Sequence, residues 1–131
     1  MAWTVNYIDE LEVVELTISG EFTDEDIKAA AYARIAMGKE HGVTHFIIDA
    51  VEMDLTGTTF SIYDVPARIY SEENMQRKSR IAVITSPDSA SRNIAEFFEN
   101  VSVNRGWNAK VFVERKDAIE WLQKKRSPAE D

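Results

Sequence analysis

Asp49 is the residue best placed for chemistry, because it comes near the end of THFIIDA, a short apolar segment that is typical of a buried strand. In open α/β sheets, ligands bind at the carboxyl ends of parallel strands, which makes Asp49 a candidate ligand or phosphoacceptor. A receiver-type aspartate needs a lysine that ends strand five, whereas Lys110 begins it. Asp49 is therefore predicted to order its own loop through an Asx-type hydrogen bond. An enzyme that uses Asp49 or Asp54 is the weakest hypothesis.

Other residues with catalytic or metal-binding chemistry are sparse. Cysteine is absent, which excludes disulfides, thiolate nucleophiles and cysteine-bound metals. His41 and His45 are separated by Gly42, which ends a predicted helix, so they do not share a helical face and no metal site is expected. The five glycines are isolated and form no phosphate-binding loop. The sequence thus predicts a protein that is not an enzyme and needs no cofactor.

The charge of the chain is concentrated at its start. The 131 residues include 15 Lys and Arg and 23 Asp and Glu, which gives a net charge of −8. The first 27 residues hold eight of the acids and no base, so the remainder is neutral. Nucleic-acid binding depends on basic residues and is not expected. The sequence shows neither a membrane-spanning run nor a secretory signal, so a cytoplasmic protein is expected.

The periodicity of apolar residues predicts five strands and four helices. Thr23 and Asp26 form a capping-box-like pair at the start of the first helix. Pro66 interrupts the second helix, where we expect a kink or a restart with Asp64 as the cap. The predicted strands are 3–8, 11–19, 44–50, 80–85 and 109–113, and the predicted helices are 24–41, 59–73, a segment from 86–89 to Gly106, and 117–125.

The order of these elements, ββαβαβαβα, predicts the fold class. The short connection between the first two strands favours an antiparallel pair, and the later alternation favours parallel strands. We therefore expect an α/β domain with a mixed, mostly parallel five-stranded sheet and four helices over residues 1–125, followed by a loose tail, 126–131. Arg77, Lys78 and Arg80 form the densest basic patch and are expected on a solvated loop before strand four.

Three segments resemble the STAS domain of the anti-sigma factor antagonists, in particular its SpoIIAA-like branch. LTISGEFTDED (16–26) resembles the end of the second strand and its turn into the first helix. FIIDAVEMDLTGTT (46–59) resembles the third strand with its loop, and DAIEWL (117–122) resembles the closing helix. The resemblance covers about residues 3–125. It implies a STAS-like fold and a non-catalytic regulatory module whose protein partner is an anti-sigma-type regulator.

The resemblance also implies candidate site residues. In the antagonists, a serine at the start of the helix after strand three is phosphorylated by the partner kinase, and the equivalent position here is Thr59, or next Thr58. The family's Asp-Ser-Ser-Gly is replaced by Gly57-Thr58-Thr59-Phe60, and its aspartate after Gly-Glu-Leu is replaced by Thr23. The expected partner surface combines the ends of strands two and three with the start of helix two, and besides the two threonines it contains Glu21, Thr23, Asp49, Thr56 and Gly57.

An alternative function is a carrier or sensor of a small apolar, lipid-like ligand. Phe60, Tyr63, Ile69 and Tyr70 on the second helix are candidates to line an apolar pocket between that helix and the sheet. The competing interpretation is that these side chains simply fill the core, as apolar residues at helical spacing usually do. Trp3, near the start of an outer strand, is a candidate contact in a homodimer.

Overall fold

A computed structural model describes residues 2–87 and 90–124 and shows one mixed five-stranded sheet. The strands lie side by side in chain order; the first pair is antiparallel and the other three pairs are parallel. This arrangement confirms the predicted fold class. The strands are β1 (Trp3–Ile8), β2 (Val13–Phe22), β3 (His45–Leu55), β4 (Arg80–Ile84) and β5 (Asn108–Phe112).

Four helices connect and follow these strands. The first begins at the predicted capping box, in which Thr23 Oγ1 accepts from the Asp26 N–H and Asp26 accepts from the Thr23 N–H. It ends at Gly42, whose φ of 67° is the left-handed conformation that glycine adopts readily. The helices are α1 (Asp24–His41), α2 (Thr59–Asp64, a π-helical segment Val65–Ile69, and Tyr70–Glu72), α3 (Ala90–Asn104) and α4 (Arg115–Gln123).

The sheet separates two apolar cores of unequal size. Alternating side chains of β3 show the division, since Phe46 and Ile48 face the larger core and Ile47 faces the smaller one. The larger core contains residues of α1, α2 and α3, whereas among the helices described only α4 contributes to the smaller core. None of the helices in residues 2–87 and 90–124 is long and apolar enough to cross a membrane.

β2 and β3 both end later than the sequence pattern predicted, and β2 begins at Val13 instead of residue 11. β4 stops pairing with β3 at Asp49, but β2 and β3 continue together to the pair Phe22 and Leu55. A register shift between Thr17 and Ser19 accompanies this extension. The predicted end of β3 at residue 50 was wrong because its last residues are exposed on one side and lack the continuous apolar pattern of its start.

The interruption of α2 at Pro66 differs from the prediction in its form. Asp64 has helical backbone angles and makes no capping hydrogen bond; its carboxylate pairs instead with Arg68 at 2.5 Å. The chain continues as a π-helical segment, and the Tyr70 N–H bonds to the Val65 carbonyl five residues earlier. Proline has no N–H for the regular ladder, so the wider turn keeps the helix going without a break.

The prediction that Arg80 lies on a solvated loop was wrong. It begins β4, is 8% exposed, and its Nη1 donates to the carbonyls of Trp121 at 2.8 Å and Lys124 at 2.7 Å. These two hydrogen bonds hold the C-terminal end of α4 against the sheet. The predicted tail, 126–131, the predicted last residue of the closing helix, 125, and part of the predicted opening of α3, 88–89, lie outside the described residues.

Candidate functional site

The N-terminal ends of α1 and α2 meet at one carboxylate oxygen. Oδ1 of Asp24 accepts hydrogen bonds from the Thr58 N–H at 2.7 Å, the Thr58 hydroxyl at 3.0 Å and the Ser61 hydroxyl at 2.7 Å. Thr58 is also the N-cap of α2, because its Oγ1 accepts from the Ser61 N–H at 3.3 Å. We call Asp24, Thr58 and Ser61 the helix joint.

The electrostatics of the helix joint favour an ionised Asp24. The Thr58 N–H, followed by the hydroxyls of Ser61 and Thr58, holds the pKa of Asp24 below its usual value. The carboxylate also lies in the first turn of α1, where the helix dipole favours negative charge. Because a carboxylate with a lowered pKa is a weak general base, this arrangement is better suited to holding hydroxyls in place than to activating them.

Gly57 lets the loop after β3 come close to the start of α1. A Cβ atom at this position would lie 2.8 Å from the backbone nitrogen of Asp24 and 2.9 Å from Cδ1 of Ile27. The N–H groups of Thr56 and Gly57 both donate to the Phe22 carbonyl, at 3.1 and 2.9 Å. The loop is thus tied to the end of β2, and the absence of a side chain at residue 57 is a requirement of the packing.

The structure brings together most of the predicted partner surface. Glu21 is the last residue but one of β2, Thr23 follows that strand, and Thr56 to Thr59 follow the end of β3 beside them. Their side chains are exposed, apart from Gly57, which is half-buried. Thr59 is the first residue of α2, so both candidate phosphoacceptors stand at the exposed start of a helix.

Asp49 lies apart from this group. It is in the middle of β3, six residues before the strand ends, which corresponds to about 20 Å along an extended chain. Its Oδ1 accepts from the Val51 N–H at 3.2 Å, which is the predicted Asx-type hydrogen bond, but both residues lie within β3, so the prediction that this bond orders a loop was wrong. Glu15 and, more weakly, the charge of Asp49 raise the pKa of Arg115 at the start of α4. Asp49 therefore lies on the face of the sheet that α4 covers, which is opposite to the face covered by α1 and α2.

The four residues of the predicted apolar pocket do not line a common cavity. Ile69 and Tyr70 are buried, and Tyr70 accepts a hydrogen bond from Arg34. Tyr63 accepts one from Arg105, and Phe60 is 68% exposed. Phe60 and Ile69 instead border a polar cleft of about 90 Å³ whose other lining residues are Asp24, Lys28, Ser61 and Asp64.

An apolar cavity does lie between α2 and the sheet, but other residues form it. Its volume is about 60 Å³, and its walls include Leu16, Ile48, Ile62 and Phe98. The predicted pocket under α2 had Phe60, Tyr63 and Tyr70 in its wall. The residues of α2 that line the observed cavity are instead Ile62 and Val65. One charged side chain, Arg34, is among the lining residues.

Sequence reasoning missed three residues of these sites. Asp24 and Ser61 act through contacts between elements that no local pattern reveals. Arg34 had a visible signal, since it falls on the helical stripe of Ile27, Ala31 and Gly38 that α1 buries. For metals, no group of three His, Cys, Asp or Glu side chains within residues 2–87 and 90–124 is arranged to hold an ion, and His41 stacks on Tyr7 with ring centres 3.8 Å apart.

Comparison with known proteins supports the fold described above. The model of the SpoIIAA-like family matches residues 13–123. Among curated proteins, no sequence matches the chain.

Solved structures with the same fold include two forms of SpoIIAA. The unphosphorylated anti-sigma factor antagonist SpoIIAA gives a TM-score of 0.58 at 17% identity, over 95% of this chain and 100% of that one. The phosphorylated Bacillus cell fate determinant SpoIIAA gives a TM-score of 0.57 at 15% identity, and the match covers 93% of this chain and 100% of that one. A DUF3478-family protein with a SpoIIAA-like fold from Shewanella loihica PV-4 gives a TM-score of 0.58 at 15% identity, and the match covers 92% of each chain. These identities establish the fold, and the family match over residues 13–123 shows that the chain belongs to the SpoIIAA-like family.

Proposed function

We propose that this protein is a non-catalytic regulatory module that binds a protein partner through the ends of β2 and β3 and the start of α2. The observation that carries the proposal is the helix joint, in which exposed hydroxyls at the start of α2 are fixed by a carboxylate of α1. The proposed partner surface consists of Glu21, Thr23, Thr56, Gly57, Thr58 and Thr59. Asp49 is left out because it lies elsewhere on β3.

The same geometry supports Thr58 or Thr59 as a site of regulation by phosphorylation. A phosphate carries about −1.5 to −2 charges at neutral pH, and the N–H groups in the first turn of a helix can donate hydrogen bonds to its oxygens and stabilise its charge. On Thr58, however, the phosphate would replace the hydroxyl that donates to Asp24 at 3.0 Å and would face a negative carboxylate. Modification of Thr58 would therefore separate the two helix ends, whereas modification of Thr59 would add charge at the surface.

The charge of this region favours a basic partner. Glu21, Glu25, Glu52 and Asp54 are exposed near the same end of the sheet, where Glu21 pairs with Asp54 in the β2–β3 register. Acidic residues around an interface mainly guide association and exclude like-charged partners. An anti-sigma-type regulator with a basic contact surface fits this requirement.

Site-directed photocrosslinking in the native host tests the proposal. A benzophenone amino acid at Glu21 or Thr56 samples the proposed surface, and one at the exposed Asn93 of α3 serves as the control. We expect Glu21 and Thr56 to crosslink to one common protein that Asn93 does not capture. Thr58→Glu should abolish that crosslink. The same partner at all three positions would contradict the proposed surface.

Phosphopeptide mapping of the purified protein from its host tests the switch separately. Phosphate on Thr58 or Thr59 is the expected result. If the crosslinked partner is found but both threonines stay unmodified under every growth condition, the module binds its partner without this switch.

The small apolar-ligand function receives less support than the regulatory one. The apolar cavity of about 60 Å³ is much smaller than the roughly 150 Å³ cavity that holds a benzene molecule, so a lipid-like chain does not fit unless α1 and α2 move apart. A co-purified mass in native mass spectrometry would revive that function. The cytoplasmic location and a homodimer through Trp3 stay predictions.

A further inference from the structure

A row of backbone groups along the outer edge of β1 faces away from the sheet. β1 is an edge strand and lies next to β2. Ala2 is opposite Ser19 in this register, and its carbonyl accepts from the Ser19 N–H at 2.7 Å. Backbone groups of an antiparallel strand alternate between its two edges, so those of Trp3, Val5 and Tyr7 point away from β2. Within the part of the chain that the structure describes, none of these three residues has a backbone hydrogen-bond partner.

β1 lacks the features that usually keep a sheet edge from pairing with another chain. Its sequence, WTVNYI, contains no charged residue, no proline and no glycine. Native edges normally carry such residues, because an open edge is a template for a further strand. The opposite edge of the sheet, β5, has this protection, since the Val111 N–H donates to a carboxylate oxygen of Glu99 at 2.8 Å and Lys110 adds a charge. The two edges of the sheet therefore differ, and β1 is the one open to pairing.

α1 runs along β1 in the same direction. His41, in the last turn of α1, stacks on Tyr7 with ring centres 3.8 Å apart. At the other end, the Thr23 N–H and, more weakly, the Trp3 side chain hold the pKa of Asp26 below its usual value, so Trp3 lies near this carboxylate. Each end of β1 thus places an aromatic ring beside a polar side chain of α1.

The middle of this side of α1 is small. Ala33 lies seven residues after Asp26 and eight before His41, about two helical turns from each, so the three residues share one side of the helix. Ala33 is half-buried and lies level with the middle of β1. Because an alanine side chain projects little, a second helix has space to approach here to the roughly 8–10 Å at which helices pack.

The charges around β1 favour antiparallel pairing with β1 of a second copy. Asp9 and Glu10, both exposed, lie in the turn that follows the strand. Parallel pairing would place the two acidic turns side by side, where like charges repel each other. Antiparallel pairing instead places each acidic turn beside the uncharged start of the other strand.

Antiparallel pairing centred on Val5 is also self-complementary in its side chains. It sets Trp3 opposite Tyr7 of the second copy on the side of the sheet that α1 covers. On the other side it sets Thr4 opposite Asn6 of the second copy, and both of these side chains are exposed. Aromatic pairs and neutral polar pairs directly across two strands stabilise a sheet.

We propose that two copies of this chain dimerise through antiparallel pairing of β1 with β1, centred on Val5. The five strands of each copy would join in one continuous sheet, with the two α1 helices side by side at Ala33. A stable interface buries about 1,200–2,000 Å² in total, more than two six-residue strands provide, so α1 completes it, for example through His41 and Asp26 of the second copy. The proposal concerns the edge of the sheet and does not rest on the proposed regulatory function.

Sedimentation equilibrium of the full chain tests the dimer. We expect the wild type to reach the mass of two chains as its concentration rises. Val5→Pro removes an outward N–H, a change that an edge strand tolerates, and should weaken dimerisation about tenfold or more while circular dichroism stays unchanged. Val5→Thr is the matched control, because it keeps the N–H and the β-branched shape and should dimerise like the wild type. A wild type that is monomeric at every concentration, or a folded Val5→Pro variant that dimerises as well as Val5→Thr, overturns the proposal.

Disulfide trapping tests the register without a proline. The chain has no cysteine, so each introduced thiol is unique. In the proposed dimer the Cα atoms of Thr4 and of Asn6 in the second copy are about 4.5 Å apart, whereas two Thr4 residues are further apart than the roughly 7 Å that a disulfide spans. A mixture of Thr4→Cys and Asn6→Cys should therefore crosslink readily, and Thr4→Cys alone or with Asn93→Cys should not. No crosslink in the first mixture, or equal crosslinking in all three samples, overturns the proposal.

Discussion

At the scale of single residues, Asp24 shows how one side chain can join two elements. Its Oδ1 is the common acceptor for a backbone N–H and two hydroxyls of α2, while its backbone begins α1. The capping box of α1 uses Asp26, which leaves the carboxylate of Asp24 available for the neighbouring helix. The first-turn acids are thus not interchangeable, although all three suit the helix dipole.

The lowered pKa of Asp24 predicts a pH-dependent effect of Asp24→Asn. Because the pKa is lower in the folded state than the unfolded value of about 3.9, the charge of Asp24 stabilises the fold at any pH above that value. This contribution is lost as the pH falls through the folded-state pKa. We expect Asp24→Asn to be less stable than the wild type near neutral pH and equally stable in strong acid.

Urea unfolding at a series of pH values measures this effect. Glu25→Gln is the matched control, since it removes a charge from the same helical turn but none of the bonds from Thr58 and Ser61. A stability difference between Asp24→Asn and the wild type that does not change with pH would show that the charge of Asp24 has no role in the helix joint.

At the scale of elements, the π-helical segment of α2 receives a hydrogen bond from a distant part of the chain. The indole N–H of Trp107 donates to the Pro66 carbonyl at 3.0 Å, and both groups are buried. The ring of Trp107 also meets that of Tyr70 edge-on, with centres 5.3 Å apart. Trp107 therefore holds both the proline turn and the residue that follows the π-helical segment.

Trp107→Phe should destabilise the protein by about 1–3 kcal/mol, because it leaves the buried Pro66 carbonyl without its donor. Trp121→Phe is the comparison, since Trp121 is half-buried on the other face of the sheet with its ring 5.7 Å from Phe112. Urea unfolding followed by circular dichroism gives both free energies. Equal losses for the two variants would mean that the hydrogen bond to Pro66 contributes nothing.

The elements that could be predicted from the sequence are those whose signals are local. The capping box of Thr23, the glycine end of α1 and the alternation of strands and helices predicted the order of the five strands and four helices. Pro66 predicted an interruption of α2, but no local pattern reveals its π-helical form or the bond from Trp107, 41 residues from Pro66. The helix joint was missed for the same reason, as Asp24 and Thr58 are 34 residues apart.

At the scale of the whole molecule, the sheet is covered unequally on its two faces. The larger core contains residues of three helices, whereas the smaller core is formed by the other face of the sheet and by α4. α4 is held on that face by the bonds from Arg80 to the carbonyls at its C-terminal end, by the side chains Ala118 and Leu122, and by the ion pair of Arg115 with Glu15 of β2 at 2.5 Å. Detachment of α4 from the sheet should therefore expose less apolar surface than unfolding of the larger core.

Native-state hydrogen exchange should then show α4 as the unit that opens first. We expect amides of Arg115–Gln123 to exchange at a lower free energy than those of β2 and β3. Leu122→Ala, at a residue with no exposed surface, should lower protection mainly in α4, although such a truncation removes about 2–5 kcal/mol of packing. Ile69→Ala in the larger core should instead lower protection throughout the sheet. Uniform loss of protection in both variants would show that the two faces unfold as one unit, and that α4 cannot detach while the partner surface stays folded.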